Sequence, residues 1–173
     1  MPEPLASGHR LHNSGQRRHV ESQEPPALLN DASIKLGEYA FPGPLRDALV
    51  SAILAGEKTS TSSLLIEYEL AREALPEPGD LERIVDSSGQ VACVSLVTAV
   101  SLIPCAQIPL SHALNEGEGF GTVDEWRAAH RLFWESEEFQ QSLAILGHPA
   151  AGDFRLTDDT VIVCTSFRMI AAR

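Results

Sequence analysis

A chain of 173 residues is long enough for one ordinary domain and short for two. Its 13 Lys and Arg stand against 24 Asp and Glu, a formal net charge of -11. That balance disfavours a general polyanion binder, because neutralising phosphates takes a surplus of cations, although a small pocket can still be locally basic. With 43% hydrophobic residues the chain has material for a real core, which excludes wholesale disorder.

Residues 1–35 are rich in Pro, Ser, His and Arg without an apolar period, the composition of a flexible N-terminal tail. Its charges cancel, so the negative balance belongs to the folded part, residues 36–173. A first helix is announced by Pro42-Gly43-Pro44 and continues through Leu45, Leu49 and Ile53 to Gly56, a left-handed cap. After the polar Gly56–Thr61 stretch come Leu64, Leu65 and Ile66, then a short helical or turn-like segment that ends at Pro78-Gly79-Asp80. Leu81–Asp86 and Val91–Ile103, joined by Ser87-Ser88-Gly89-Gln90, read as a β-hairpin.

The second strand is apolar on both faces, with Val91, Cys93 and Val97 on one and Val94, Leu96, Val100 and Leu102 on the other, so both faces need cover. Ser111–Asn115 reads as a short helix. Thr122 and Glu125 have capping-box spacing and open another, whose stripe of Val123, Trp126, His130 and Phe133 restarts after Ser136 with Phe139, Leu143 and Leu146. Val161–Ile170 alternates and closes the chain with a strand. Strands joined by hairpins with inserted helices define an α+β class, a mixed β-barrel with flanking helices.

Neither apolar run, Val91–Ile103 or Val161–Ile170, reaches the roughly 20 residues of a bilayer span. The N-terminal residues lack the apolar stretch of a secretory signal, and the cysteines, Cys93, Cys105 and Cys164, are odd in number and far apart. These features predict buried reduced thiols in a cytoplasmic protein with no membrane partner.

Two Gly-bounded polar clusters could carry chemistry: Gly56-Glu57-Lys58-Thr59-Ser60-Thr61, and His112 to Gly119. A Lys three residues before a Thr can serve as base for that hydroxyl if the amine is neutral, and a nearby carboxylate could pass the proton to a leaving amine. In a regular strand positions 58 and 61 face opposite ways, so they converge only if the chain turns between them. Read alone, the first cluster also fits a solvated helix-to-strand turn. Gly117-x-Gly119-x-Gly121 mimics a phosphate cradle but follows no strand, and Glu116 and Glu118 would repel phosphate. No ligand spacing for a metal and no GxSxG elbow is present. His130 reads as a hydrogen-bonded helix-face histidine, and Trp126 and Trp134 as core.

Taken together, FPGPLRDALVSAILAGEKTSTSSL, the LPEPGD turn, VDSSGQVACVSLVTAV and SHALNEGEGFGTVDEWRAAHRLFW resemble a bacterial ASCH-domain protein of the larger type, over about residues 36–170. The resemblance implies a PUA-like β-barrel with associated helices, and an association with RNA and modified nucleosides. Small members of the family hydrolyse the amide of cytidine acetylated on its exocyclic amine with a Lys, a Thr three residues later and a distant Glu. Those roles fall on Lys58, Thr61 and Glu116, the last within the His-Ala-x-x-Glu segment that begins at His112. Gly56, Ser63, Tyr68, His112, Glu118 and Trp126 are the accompanying candidates for substrate contact. The family commonly has an Arg five residues after the Lys, where this chain has Ser63. Two functions follow as expectations: an amidohydrolase acting on an acylated cytidine-like nucleoside, or a single-stranded RNA binder or ribonuclease. No cofactor, metal or DNA partner is expected.

Overall fold

The computed structural model describes residues 25–148 and 153–173. Twelve elements follow one another in those segments. Helix α1 is Pro25–Asn30 and strand β1 Lys35–Gly37. Helix α2 (Pro44–Leu54) opens on Pro44, whose missing N–H costs nothing in a first turn. Strand β2 (Ser60–Leu64) runs straight into α3 (Leu65–Ala71), whose free Leu64 N–H is taken up by Glu67 Oε2 at 2.8 Å. The hairpin β3 (Leu81–Val85) and β4 (Val91–Pro104) turns through the predicted Ser87–Gln90 loop, where the Asp86 carboxylate accepts from Ser88 and Gln90. A 3-10 turn (Cys105–Gln107), α4 (Leu110–Asn115), α5 (Val123–Trp134) and α6 (Glu137–Ile145) precede the last strand, β5 (Val161–Ala172).

The capping box at Thr122 forms as its spacing predicts. Thr122 Oγ1 accepts from Glu125 N–H at 3.2 Å while Glu125 Oε2 accepts from the N–H groups of Thr122 and Gly121. Ser136 caps α6 through Phe139 N–H.

The strands form one sheet in the order β1-β3-β4-β5-β2, with β1 and β3 parallel and all other neighbours antiparallel. The α+β, PUA-like class predicted from sequence is the class observed. The expected barrel is, however, an open sheet: β1 and β2 are its two edges and do not pair with each other. Long β4 and β5 form its centre, in register from Cys93 with Ala172 to Pro104 with Val161, with bulges after Val94 and Val97. Bulges increase local twist, which curls the sheet without closing it.

Three apolar clusters hold the layers. Leu49, Val50 and Ile53 of α2 cover one sheet face at Ile84, Cys93 and Phe167. On another face Leu28 and Ile34 cover Val94 and Ala171. Trp126, Trp134, Phe139 and Leu143 pack on Leu64, Ile162 and Cys164.

Two expectations change. Residues 25–35, read as part of a flexible tail, include α1 and the start of β1, and Leu28 is buried because the Val94 face needs cover. Residues 1–24 of that tail lie outside the described residues. Second, β4 is covered on both faces only over its first half; farther along, Ile103 packs against the Trp126 and Trp134 cluster while Leu102, on the other face, is 47% exposed. All three cysteines are free and buried. Burial pushes the Cys93 thiol up to about 11 and the Cys164 thiol up to about 12. Among the described residues no helix is long and apolar enough to cross a membrane.

Candidate active site

The site forms where the exit from α2 meets the end of α4. Gly56, at φ +76°, lets the chain leave α2, and the Glu57 and Lys58 N–H groups both donate back to Ala52 O. Thr59 N–H then donates to Asn115 O at 2.8 Å, and Thr59 O accepts from Phe167 N–H at 2.9 Å. These bonds fasten the loop to α4 on one side and to β5 on the other. Lys58 therefore points inward before β2 begins and reaches the second cluster, while Thr61 follows within β2 itself.

Lys58 is 2% exposed, and its Nζ lies 2.8 Å from Glu118 Oε1, 3.4 Å from Glu116 Oε2 and 3.3 Å from Glu116 O. Its third neighbour is the Tyr39 ring, with the centroid 6.0 Å away. A buried amine is tolerable only when paired in this way.

Glu116 is engaged on both oxygens. Oε1 accepts from Ser62 Oγ–H at 2.5 Å and from Trp126 Nε1–H at 2.7 Å, with His112 Nε2 at 3.2 Å. Oε2 faces Lys58 Nζ and, at 3.3 Å, His130 Nε2. Burial alone would push this carboxyl up. Hydrogen bonds from His112 and His130, with the charges of His130 and Lys58, outweigh burial and hold Glu116 well below the usual carboxylate range. A carboxylate with its lone pairs so fully engaged is a fixed anion rather than a group that trades protons.

The two histidines are held from behind. His112 and Glu116 are one turn apart, and Ser62 Oγ sits 2.8 Å from His112 Nε2. Because the Ser62 hydroxyl donates to Glu116, His112 Nε2 is the donor in that contact. His130 Nδ1 donates to Trp126 O at 2.9 Å, so acceptors face both of its nitrogens, and its ring stacks on Trp126 with centroids 4.3 Å apart.

Glu118 differs from Glu116. Its side chain is 22% exposed, and its hydrogen-bond partner among the described residues is Lys58. Burial pushes its carboxyl up and the Glu116 charge adds to that, against the pull of Lys58 and His130.

A cavity of about 610 Å³ opens onto this cluster. Lys58, Thr61, Glu116 and Glu118 line it together, as do Ser63 and Tyr68, whose hydroxyls are 3.1 Å apart. Ser63, at the position where the resemblance leads one to expect an Arg, thus bonds a tyrosine hydroxyl. The other three candidates are placed elsewhere. His112 and Trp126 are not on the cavity wall; they sit behind Glu116 and orient it. Gly56 is exposed and outside the lining, where it serves the turn.

Sequence reasoning missed Ser62 and underrated His130. The run of hydroxyls from Ser60 to Ser63 carried no signal favouring one, since only the strand register turns Ser60 and Ser62 toward α4, with Ser60 Oγ on His112 O. His130 was legible as a hydrogen-bonded residue four positions after Trp126; its reach to Glu116 depends on α5 docking on α4. Among the described residues no group of three His, Cys, Asp or Glu is placed to hold a metal ion.

An open, five-stranded mixed sheet with a buried Lys–Glu cluster beside a solvent-open cavity defines a PUA-like α+β protein. The chain belongs to the ASCH domain family, whose model matches residues 38–171. Membership supports a function of the general ASCH kind, RNA-binding or hydrolase-like. A solved structure of a DUF984-family protein from Enterococcus faecalis V583 is similar at 25% identity and TM-score 0.65, covering 80% of this chain and 77% of that one. An ASCH domain from Lactobacillus crispatus JV V101 shares the fold at 23% identity and TM-score 0.66, covering 92% and 98%. No curated protein matches the chain.

Proposed function

We propose that this protein is an amide hydrolase acting on an acylated cytidine-like nucleoside, with Thr61 as nucleophile and the Lys58–Glu118 pair as its proton carrier. The observation that carries the reading is that an amine, a hydroxyl-bearing residue and a half-open carboxyl, the amine and carboxyl 2.8 Å apart, all line one cavity of about 610 Å³. That volume lies within the range of small-molecule sites. The lining holds two lysines against six glutamates, which suits an uncharged nucleoside better than a phosphate chain. Partly buried aromatic rings at Phe41 and Phe133, 5.6 Å apart, add flat apolar surface for a base.

With the shared proton on Glu118, Lys58 is a neutral amine and takes the Thr61 hydroxyl proton as Oγ1 bonds to the acyl carbon. The C–N bond then breaks, and Glu118 gives its proton to the departing exocyclic amine, leaving an acyl ester on Thr61. Water attacks that ester and yields its proton to Glu118. As the ester C–O bond breaks, Thr61 recovers its proton from Lys58, and the products are cytidine and a carboxylic acid. The role expected for Glu116, proton donor to the leaving amine, passes in this reading to Glu118, because every lone pair of Glu116 is already engaged. Glu116 instead fixes Lys58.

The test is mass spectrometry of N4-acetylcytidine incubated with wild type and with Thr61→Ala. Turnover by wild type alone supports the reading, and undiminished turnover by the variant overturns it. The RNA-binding alternative predicts an affinity for single-stranded RNA that falls steeply with salt.

A further inference from the structure

We infer that Glu82 reads the pyrimidine, its carboxyl group pairing with the ring nitrogen N3 and the exocyclic N–H of a cytosine, so that the cavity selects cytosine over uracil. This rests on the nucleoside reading above and adds the residue that recognises the base.

Six glutamates line the larger cavity, and five of them have a donor. Glu38 has Arg46, Glu67 the Leu64 N–H, Glu73 has Lys35, and Glu116 and Glu118 have Lys58. Glu82 is the exception: among the described residues nothing donates a hydrogen bond to it. It is also more enclosed than a surface carboxyl, being only partly accessible on β3 between Lys35 of β1 and Ser95 of β4 in the sheet register. Gly37 leaves room for it: a Cβ there would stand 3.1 Å from Glu82 Oε2. Its carboxyl oxygens still reach solvent, so a ligand bearing N–H donors would take the place of water there.

The titratable groups around Glu82 are Lys35 on β1, Asp80 at the head of β3, Tyr68 on α3 and Tyr39 after β1. Burial pushes the carboxyl up, the Lys35 charge lowers it and the Asp80 charge raises it. In its protonated form the carboxyl presents a donor and an acceptor side by side, which matches cytosine N3 and the exocyclic N–H. Cytosine N3 is the basic site of the ring, so the shared proton can move onto it and leave a carboxylate facing two N–H donors. Uracil pairs with the protonated carboxyl through N3–H and O4, but its N3 cannot take up the proton, so it never reaches the arrangement of a carboxylate facing two N–H donors. An acylated amine retains its N–H, so the same edge remains readable while the acyl group is directed toward the Lys58 end. Glu82 also lines a second cavity of about 560 Å³, with Tyr68 and Lys35, which leaves space beyond the base for the rest of the ligand.

The experiment is calorimetric titration of cytidine and of uridine, neither of which carries an acyl group, into wild type, Glu82→Gln and Glu82→Asp. Wild type is expected to prefer cytidine by about tenfold or more, the discrimination of one good bidentate pair. In Glu82→Gln, whose amide can pair with either base but cannot hand over a proton, the preference should fall to within about twofold. Glu82→Asp, with the carboxyl drawn back by a methylene, should also lose preference and carries the test if the Gln variant does not fold. A preference retained in both variants, no preference in wild type, or binding of neither nucleoside overturns the inference. If wild type discriminates through Glu82 yet never cleaves N4-acetylcytidine, the hydrolase reading fails and this one stands.

Discussion

The α-carbon of Gly117 lies directly against the peptide that joins Glu57 to Lys58. A Cβ built on Gly117 would stand 2.5 Å from the Glu57 carbonyl carbon and oxygen and 2.6 Å from Lys58 N, and its φ is +65°. Both facts demand glycine, one by contact and one by conformation. The close approach is what brings Glu116 and Glu118, on either side of Gly117, onto the Lys58 amine.

Gly117→Ala should therefore separate the two loops and lose turnover, with a stability cost above the about 1–3 kcal/mol of a strained φ alone. Gly119→Ala is the control: its φ is +86° but nothing lies within 4 Å of its Cβ position, so it should cost only the strain. Urea denaturation of the two variants beside wild type measures the difference. Equal losses in both would show that loop contact at Gly117 contributes nothing.

Replacing Glu116 by Gln leaves Lys58 and two histidines facing a neutral amide, and breaking a buried charge cluster of this kind costs about 3–5 kcal/mol. The pH dependence has a definite sign. The folded-state value of Glu116 lies below its unfolded one, so its contribution is fully present above the ordinary carboxylate range and is lost as pH falls toward the folded value. The stability gap between wild type and Glu116→Gln, measured by denaturation from pH 7 downward, should be widest near neutrality and narrow below about pH 4. A gap that stays constant with pH would contradict the assignment of an ionised, stabilising Glu116.

Much of this arrangement was legible in the sequence, for reasons that differ by residue. The helices over Pro44–Leu54 and Val123–Trp134, the β3–β4 hairpin and the closing strand announce themselves through apolar period, caps and turn residues, which are local signals. Lys58, Thr61 and Glu116 lining one cavity is expected from the family resemblance and not from spacing, since 58 residues separate Lys58 from Glu116. What escaped depends on tertiary placement. Leu28 looks like tail until Val94 needs cover, and closing the sheet would require β1 and β2 to meet, which no local pattern decides. Thr61, Ser62 and Ser63 all line the cavity, and that Ser62 is the one tied to Glu116 is likewise a matter of strand face.

Thr61 and Ser62 are adjacent, and alternation along β2 sends their side chains to opposite faces. Ser62→Ala removes the 2.5 Å hydrogen bond to Glu116, a loss of about 1.5–3 kcal/mol for a bond to a charged group, while leaving the proposed nucleophile in place. Thr61→Ala should do the reverse, abolishing turnover with stability within about 0.5 kcal/mol of wild type. Thr61→Ser keeps a hydroxyl and should retain measurable activity. Thermal denaturation together with single-turnover product analysis separates the two effects. Activity lost in Ser62→Ala but kept in Thr61→Ala would move the nucleophile to Ser62.

Glu118→Gln isolates the proton-carrying step. The carboxyl is raised by burial, and the proposed acid must hold its proton at the start of turnover, so wild-type activity should fall as pH rises through the Glu118 value. Stability follows the same direction: because the folded value lies above the unfolded one, the contribution of Glu118 is present below the ordinary carboxylate range and is lost as pH rises through the folded value. The amide cannot give up a proton, so kcat for N4-acetylcytidine should drop about 10²–10⁴-fold, the size of a general acid–base contribution. The falling limb should vanish from whatever activity remains, while KM changes little because Lys58 stays anchored by Glu116 at 3.4 Å. A pH–rate profile of wild type and Glu118→Gln, with kcat and KM resolved, decides the matter. A variant that raises KM alone would make Glu118 a binding residue and return the proton transfer to Lys58.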